Sequence, residues 1–147
     1  MKIKTLAPLL LCAMALAAAD DPFVGTWKLN AAKSKFEPGP APQSETVNIG
    51  ADGKVSIAET DAKGQTVNWS YTFAKGSSAP ITGLPDANAS VMETRKGNTV
   101  DHTWNIGKTP SKGHGVVAKD GKTLTYTLQG EDANGKKMKN TEVYEKQ

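Results

Sequence analysis

Short runs in which hydrophobic and polar residues alternate recur along this chain, and most of them end in a turn built from Asp, Asn or Gly. In the clearest run, residues 66–73, every second position is a large hydrophobic residue and the positions between are Thr, Asn or Ser. Residues 123–128 repeat the pattern. Alternation with a period of two predicts β-strands with one apolar and one polar side. Turns at this spacing predict that neighbouring strands pair as antiparallel hairpins.

The number of these runs predicts the fold class. We count eight to nine predicted strands along the chain, and no long stretch has helical periodicity. That many antiparallel strands can close into an up-and-down barrel, which removes the exposed edges of the sheet. We therefore predict an all-β fold, a single small antiparallel up-and-down β-barrel of eight to nine strands.

Two stretches interrupt the alternation. Residues 31–43 carry a proline at every second position from 38 to 42, which excludes a helix or a central strand there and predicts an extended loop after at most one helical turn. Residues 77–90 are punctuated by Pro and Gly and are also predicted to form a loop. Within this second loop, Ile81 and Leu84 either fold back as a plug or pack underneath the barrel.

The first 19 residues have the three parts of a secretory signal peptide. Lys2 and Lys4 form the charged start, an apolar run follows over 6–16, and three alanines ending at Ala19 form a cleavage site. We predict that 1–19 is a signal peptide, that 20–147 is one β-barrel domain, and that the mature chain is secreted or periplasmic. The apolar run is shorter than the ~20 residues of a membrane span, and no later stretch comes close, so no transmembrane segment is expected in the mature chain.

Cysteine and charge narrow the functional classes. The single cysteine, Cys12, lies in the predicted leader, so the mature chain is expected to have no disulfide and no thiol chemistry. Without Lys2 and Lys4 the chain has nearly equal numbers of basic and acidic side chains, which argues against a nucleic-acid partner. The sole arginine, Arg95, points the same way, because arginine forks are the usual clamp for phosphates. The composition identifies no protein partner.

The run Phe23-Val24-Gly25-Thr26-Trp27-Lys28-Leu29 resembles the opening strand of the calycins, in which a Gly-x-Trp motif starts the barrel. It is especially similar to the opening of fatty-acid-binding proteins, and Val143-Tyr144-Glu145-Lys146 is similar to the end of that family. The whole chain also resembles small exported lipocalin-like proteins of environmental bacteria. The resemblance implies a lipocalin-like barrel that binds a small apolar molecule, with Gly25 and Trp27 as its structural motif and Trp27 closing the floor.

Two departures from the fatty-acid-binding proteins concern the ligand. Those proteins insert a helical pair as a lid after the first strand, where this chain has its proline-bearing loop. Their last strand carries Arg-x-Tyr, whose two side chains hold the ligand carboxylate; here Tyr144 matches, and Glu142 occupies the position of the arginine. An acid there would repel a carboxylate. The resemblance therefore leaves a neutral or cationic apolar ligand, and it disfavours a fatty acid.

Aromatic residues are the candidates for lining the barrel, because large aromatic side chains dominate cores and ligand sites. The predicted ligand-binding residues are Trp69, Tyr71, Phe73, His102, Trp104, Tyr126 and Tyr144. Alternation alone does not decide which face points inward, so the Thr and Asn face could instead line a wet cavity. A small barrel can also be filled by its own side chains. The alternative function is therefore an envelope scaffold or interaction module with a filled barrel.

The two histidines suggest a further alternative. We expect a turn over 107–112 and a strand beginning at His114, which would place His114 and Val116 near Trp104 and His102. If both imidazoles shared a face, their Cα atoms would lie ~7 Å apart on a cross-strand diagonal, and they could hold a metal; His102 alone could ligate haem iron, as in the barrels called nitrobindins. Otherwise His102 is a satisfied core histidine and His114 is exposed. Two histidines without a third ligand make a thin site, so we predict no metal and no cofactor.

No catalytic constellation stands out in the sequence. The serines lack a motif such as Gly-x-Ser-x-Gly. Several acidic residues fall among predicted turns and polar strand faces, where solvated surface is the ordinary explanation: Glu45, Glu59, Asp61, Glu93 and Asp101. We therefore predict that the protein is not an enzyme and that it binds a small, mostly apolar molecule without catalysis.

Overall fold

The computed structural model describes residues 20–132 and 135–147. The predicted signal peptide, residues 1–19, lies outside the described residues. The described part contains one 3-10 helix, Ala31–Lys33, and eleven strands: β1 (Gly25–Leu29), β2 (Lys35–Glu37), β3 (Ser44–Ile49), β4 (Lys54–Thr60), β5 (Thr66–Thr72), β6 (Ser78–Pro80), β7 (Ser90–Lys96), β8 (Thr99–Asn105), β9 (Ser111–Val117), β10 (Thr123–Glu131) and β11 (Lys137–Lys146).

The strands form one antiparallel sheet that curls into a nearly closed up-and-down barrel. Its order is β5-β4-β3-β1-β11-β10-β9-β8-β7-β6, so neighbours in sequence are mostly neighbours in space. The first and last long strands meet where Trp27 lies opposite Lys146. The two ends of the sheet, β5 and β6, are joined through a single bridge between Ser70 and Thr82. The predicted all-β barrel is confirmed.

The strand count is eleven rather than eight to nine, because two three-residue strands lie in stretches that we interpreted as loops. β2 continues the barrel wall beyond β1 by pairing with β11, where Phe36 lies opposite Asn140, and it ends before the first proline of that loop. β6 pairs with the start of β7 and ends at Pro80. A proline is tolerated there because it ends a strand at the edge of the sheet.

The apolar face of each alternating strand points into the barrel, and the Thr and Asn face is outside. Tyr71 is buried, whereas its neighbour Thr72 is exposed. The floor is an apolar cluster in which Trp27 is fully buried: Phe23, Trp27, Val100, Val117, Leu124 and Tyr144. A second cluster forms the opposite wall: Val55, Ile57, Tyr71, Ala79, Ile81, Ala89 and Val91. The alternative prediction, in which the Thr and Asn face lines a wet cavity, is therefore wrong.

The loop between β6 and β7 packs into the wall. Ile81 is buried in the second cluster, and Leu84 packs against that cluster from outside it.

In the part of the chain that the structure describes, no helix is both long and apolar enough to cross a membrane.

Candidate functional site

Two glycines of β9 create the space in which the polar interior is built. A Cβ atom on Gly113 would lie 1.6 Å from the hydroxyl oxygen of Tyr126, and one on Gly115 would lie 2.8 Å from Val100 and 3.0 Å from the Tyr126 ring. Real Cβ atoms do not approach other atoms this closely. The missing side chains therefore let the Tyr126 ring lean across β9 toward β8.

Five side chains form a connected network in the middle of the barrel, which we call the His102 network: Tyr71, Glu93, His102, Trp104 and Tyr126. The Trp104 indole N–H donates to the Tyr126 oxygen at 2.7 Å, and that hydroxyl lies 3.1 Å from His102 Nδ1. His102 Nε2 lies 3.2 Å from Glu93 Oε2, which also accepts a bond from the Tyr71 hydroxyl at 2.7 Å.

For a neutral His102, these contacts fit one arrangement of protons. An indole nitrogen can only donate, so the proton of the Tyr126 hydroxyl remains to be donated to His102 Nδ1. Nδ1 is then an acceptor, and the ring proton is on Nε2, from which it is donated to Glu93. The network thus runs in one direction from Trp104 to an ionised Glu93. Both ring nitrogens of a neutral His102 are occupied.

Glu93 is held in its charged form although it is buried. Burial raises the pKa of its carboxyl, but the hydrogen bonds from His102 and Tyr71, together with the positive charges of a protonated His102 and of Arg95, outweigh that effect and bring the pKa to about 2. The Arg95 guanidinium pairs with Glu93 and, at 2.5 Å, with Asp21. It also lies over the ring of Phe73, 4.9 Å from its centroid. Phe73 therefore belongs to the surroundings of Arg95 at the floor end.

Aromatic rings enclose the network on one side. The Trp104 ring stacks on His102 with centroids 4.7 Å apart and planes 15° apart. Trp69 and Tyr71 each approach Trp104 edge-on, at 5.6 Å and 5.8 Å. The sequence-predicted residues Trp69, Tyr71, His102, Trp104 and Tyr126 are thus brought together. That they contact a ligand stays a prediction.

The two histidines do not share a site. The turn after β8 is shorter than predicted, and β9 begins at Ser111, so Gly113 lies opposite His102 and His114 lies opposite Asp101. His114 is on the outer face, where its Nδ1 lies 2.7 Å from Asp101. The shared two-histidine site is therefore wrong. Within the described residues, no group of three or more His, Cys, Asp or Glu side chains is placed to hold a metal ion.

A second polar group, which we call the Tyr144 carboxyl pair, consists of Tyr144 with Glu45 and Glu142. The Tyr144 hydroxyl oxygen lies 3.0 Å from Glu45 Oε1 and 2.8 Å from Glu142 Oε2. A phenol has one proton to donate, so the second contact requires one carboxyl to be protonated and to donate to the phenol oxygen. Asn140 donates to Glu142 at 3.2 Å, which favours Glu142 as the ionised partner.

The surroundings identify Glu45 as the protonated acid. Burial, and then the neighbouring carboxyls of Glu142 and Glu59, raise the pKa of Glu45 to about 8 against the opposing effect of the Tyr144 hydrogen bond. Burial also raises the pKa of Glu142, but hydrogen bonds from Tyr144 and Asn140 oppose that effect. At neutral pH the proton of the pair therefore resides chiefly on Glu45, with Tyr144 between an acid and a carboxylate.

Three acidic residues lie on the opposite face of their strands from the one that the sequence predicted. Glu45, Glu59 and Glu93 were assigned to turns and polar strand faces, but they belong to the inward faces of β3, β4 and β7. Each stands two residues from a hydrophobic residue of the inward face, as Glu93 does from Val91, and this spacing is the signal that could have located them. Asp101 is exposed on the outer face, as expected.

One end of the barrel, opposite the Trp27 floor, presents apolar side chains to solvent. We call it the open end and define it by Val67, Trp69, Trp104 and Ile106. Val67 is 39% exposed and Ile106 is 38% exposed. Val67 and Trp69 share the inward face of β5, because side chains two residues apart point to the same side. Trp69 and Trp104 are partly buried between them and the His102 network.

A wide hollow of about 690 Å³ lies to one side, between the β10–β11 hairpin, the turn after β8 and the end of β2. Most of its lining residues are polar or charged, although the surface that they present to the hollow is mainly apolar: Glu37, Pro38, Thr109, Gln129, Gly130, Glu131, Lys136, Lys137, Met138 and Lys139. The hollow shares no residue with the open end.

Comparison with known proteins supports the fold. No protein-family model and no curated protein matches the chain. Among solved structures, fatty-acid-binding protein 1 of Echinococcus granulosus matches with a TM-score of 0.55 and 15% identity over 85% of this chain and 97% of that one. The fluorescent protein UnaG matches with a TM-score of 0.53 and 14% identity over 85% and 97%. Zebrafish ileal bile acid-binding protein, complexed with cholic acid, matches with a TM-score of 0.50 and 12% identity over 86% of this chain and 100% of that one.

At these identities the likeness shows the fold alone. The up-and-down β-barrel that the Gly25-x-Trp27 opening predicted is confirmed, and two of the neighbours are ligand-binding proteins by their names. The described segment after β1 differs from the helical lid that we associated with fatty-acid-binding proteins: it is a single 3-10 turn followed by β2.

Proposed function

We propose that this protein is an exported carrier that holds a small, mostly apolar molecule at the open end of its barrel, without catalysis. The observation that carries the proposal is the aromatic wall of Trp69 and Trp104, flanked by the exposed Val67 and Ile106. Large apolar side chains that remain exposed to water next to one another are typical of sites that bind a partner or a ligand.

The named functions of the structural neighbours support a binding role. One is a fatty-acid-binding protein, and another is a bile acid-binding protein solved with cholic acid. Both names describe proteins that hold a small amphipathic molecule. A barrel of the same fold with an apolar opening fits that role.

The distribution of charge favours a ligand with a neutral or positively charged polar group. Glu45, Glu59 and Glu142 belong to inward strand faces, and Glu59 lies directly opposite Val67 of the open end. The basic groups that contact buried aromatic rings in the described part, Arg95 and Lys146, lie at the floor. A carboxylate in the barrel would therefore meet acids before it met a cation, which disfavours a fatty acid.

The closed His102 network supports the absence of catalysis. Each of its donors already has an acceptor, and Glu93 is ionised with Arg95 beside it. General acid–base catalysis needs a group that can exchange its proton with substrate. The same occupancy argues against haem ligation, since iron would have to displace Tyr126 or Glu93 from His102.

One observation favours a second candidate. The barrel's own side chains occupy its middle: Trp27 lies at the floor, and the His102 network lies above it. A barrel filled in this way can serve as a rigid envelope scaffold or interaction module. The two candidates differ in whether the open end binds a small molecule.

Native mass spectrometry tests the proposal, with dodecanol, dodecylammonium and dodecanoate as ligands of matched chain length. Binding of dodecanol or dodecylammonium in preference to dodecanoate is expected, and an adduct present after native purification should vanish on denaturation. A preference for dodecanoate would contradict the proposed charge of the ligand. Binding of none of the three would favour the scaffold.

Matched variants locate the site. Val67→Ser and Ile106→Ser should each weaken binding, because they remove apolar surface at the open end. Met92→Ser is the control, since Met92 is slightly more exposed, at 46%, but lies on the outer face. Export is tested separately: the protein recovered from a bacterial periplasm should have the mass of a chain that begins at Asp20.

A further inference from the structure

The segment that closes the barrel between β5 and β7 is attached to β5 at one place. Whereas β4 and β5 pair along their full length, β5 and the β6–β7 hairpin share the single bridge Ser70–Thr82. The bridge has two backbone hydrogen bonds of 2.9 Å, and the two hydroxyl oxygens lie 3.2 Å apart. Thr82 is exposed and Ser70 is half-buried, so water competes for the contact between their hydroxyl groups.

The segment 82–88, which we call the strap, begins in close contact with β5. Gly83 has a φ of +95°, and a Cβ atom there would lie 2.3 Å from the Asn68 carbonyl oxygen and 2.9 Å from the Trp69 Cα atom. Only a glycine permits this approach of the two backbones. The strap therefore covers β5 beside Trp69 of the open end.

Further along the chain, the strap contacts the turn that follows β8. Asp86 Oδ2 accepts a bond of 3.0 Å from the Gly107 amide, next to Ile106. Leu84, between these two attachments, packs inward against the cluster that also contacts Trp69 and Trp104. The strap thus runs from the Trp69 side of the open end to the Ile106 side and places one apolar side chain beneath itself.

The ends of the strap are fixed more firmly than its middle. Ile81 and Ala89 are both buried, and the Ile81 amide donates to the Ala89 carbonyl at 2.9 Å. Release of the bridge and of the Asp86–Gly107 contact would detach the strap from β5 and from the turn after β8 without unfolding β6 or β7; the bond of 3.1 Å from the Ala89 amide to the Asp86 carbonyl would remain within it. Segments held by few, exposed hydrogen bonds open at a small fraction of the global unfolding free energy.

We propose that the strap is the gate of the ligand site: it opens by releasing Thr82 from Ser70 and Asp86 from Gly107, and withdraws Leu84 so that an apolar molecule passes between β5 and β8. The gating role rests on the proposed binding function; the motion of the strap does not. Closure then returns Leu84 over the bound molecule.

A disulfide tests the gate. Directly opposed residues of a hydrogen-bonded antiparallel pair have Cα atoms about 5.5 Å apart, within the range that a disulfide spans. We would make Ser70→Cys with Thr82→Cys in a Cys12→Ser background of the full chain. The control is Thr60→Cys with Thr66→Cys, an exposed pair on β4 and β5 whose hydroxyl oxygens are 3.0 Å apart.

Stopped-flow fluorescence of Nile red, a neutral apolar probe, gives the rates. Oxidation of the Ser70–Thr82 variant should slow association and dissociation about tenfold or more, with a smaller change in affinity, and reduction should restore both rates. The control pair should be unaffected. Gly83→Val should act in the opposite direction and speed dissociation, because its side chain pushes the strap away from Asn68. Equal rates in oxidised and reduced Ser70–Thr82 protein would overturn the gate.

Hydrogen exchange separates this proposal from the binding function. The amides of Ser70 and Thr82 should exchange at least about tenfold faster than the protected amides of the β4–β5 ladder. Exchange as slow as in that ladder would overturn the gate whether or not Nile red binds. Fast exchange without any binding would overturn the carrier function and leave a mobile strap; binding at unchanged rates would leave the carrier function and overturn the gate.

Discussion

The ammonium group of Lys146 lies 5.1 Å from the centre of the Trp27 ring, so the last strand caps the tryptophan that closes the floor. The two residues are directly opposite each other in the β1–β11 register. Gly25 makes room for this contact, since a Cβ atom there would lie 2.6 Å from Lys146 Cε, and its φ of +138° also suits glycine. The Gly-x-Trp opening is thus explained by one lysine stem packed over both of its residues.

Lys146→Ala should destabilise the protein by about 1–2 kcal/mol, the range of a partly desolvated cation–π contact with some lost packing. Lys146→Arg should retain most of the stability, because a guanidinium also stacks on an indole. Urea unfolding followed by tryptophan fluorescence measures both. Lys139→Ala, an exposed lysine of the same strand, is the control; an equal effect at the two positions would show that the contact with Trp27 contributes nothing.

Gly113→Ala should be among the most damaging single substitutions in the wall. The added methyl group would occupy the position of the Tyr126 hydroxyl, so Tyr126 would move and leave Trp104 and His102 without their partner. Overpacking of this kind costs about 1–3 kcal/mol. Gly39→Ala is the control, because its new Cβ atom would meet only an ordinary contact at 3.7 Å. Comparable urea midpoints for the two variants would contradict the assignment.

The parts of this fold that were predictable are those that a period of two determines. Strict alternation located β5 and β10, and the Gly25-x-Trp27 run located the first strand of the barrel. The short strands β2 and β6 were missed, because three residues are too few for a pattern and pairing to a neighbour decides their structure. Such pairings depend on residues far away in the chain, which local patterns do not contain.

The candidate site was only partly predictable for a related reason. Five of the seven proposed lining residues do meet, because they occupy inward positions of their strands. The predicted pairing of β8 with β9 was wrong. The turn after β8 was predicted to be longer than it is, which placed His114 near His102, whereas Gly113 lies there. A shift of one residue in the pairing moves a side chain to the opposite face of the sheet. The carboxyls of Glu45 and Glu142 were assigned no shared role, since their meeting at Tyr144 joins residues about a hundred positions apart.

Glu93 should govern part of the stability in acid. The pKa of its carboxyl is about 2 in the folded protein and 4.5 ordinarily. Between these pH values the unfolded chain therefore binds a proton that the folded chain does not. The stabilisation is therefore fully present above about pH 4.5 and is lost as the pH falls toward 2. Glu93→Gln should lower stability at pH 7 and flatten the decline between these values, as measured by urea unfolding at several pH values. A decline as steep in the variant as in the parent chain would contradict this role.

Glu45 should act in the opposite direction near neutral pH. Its pKa is raised to about 8 in the folded protein, so between about pH 4.5 and 8 the folded chain binds more protons than the unfolded one. Stability should therefore fall as the pH rises through this window. Glu45→Gln, which mimics the neutral acid, should remove much of the slope and leave the variant more stable than the parent chain at pH 9. Glu145→Gln, at an exposed acid paired with Lys33, is the control and should keep the slope. Parallel stability curves for Glu45→Gln and the parent chain would show that the Tyr144 carboxyl pair holds no proton on Glu45.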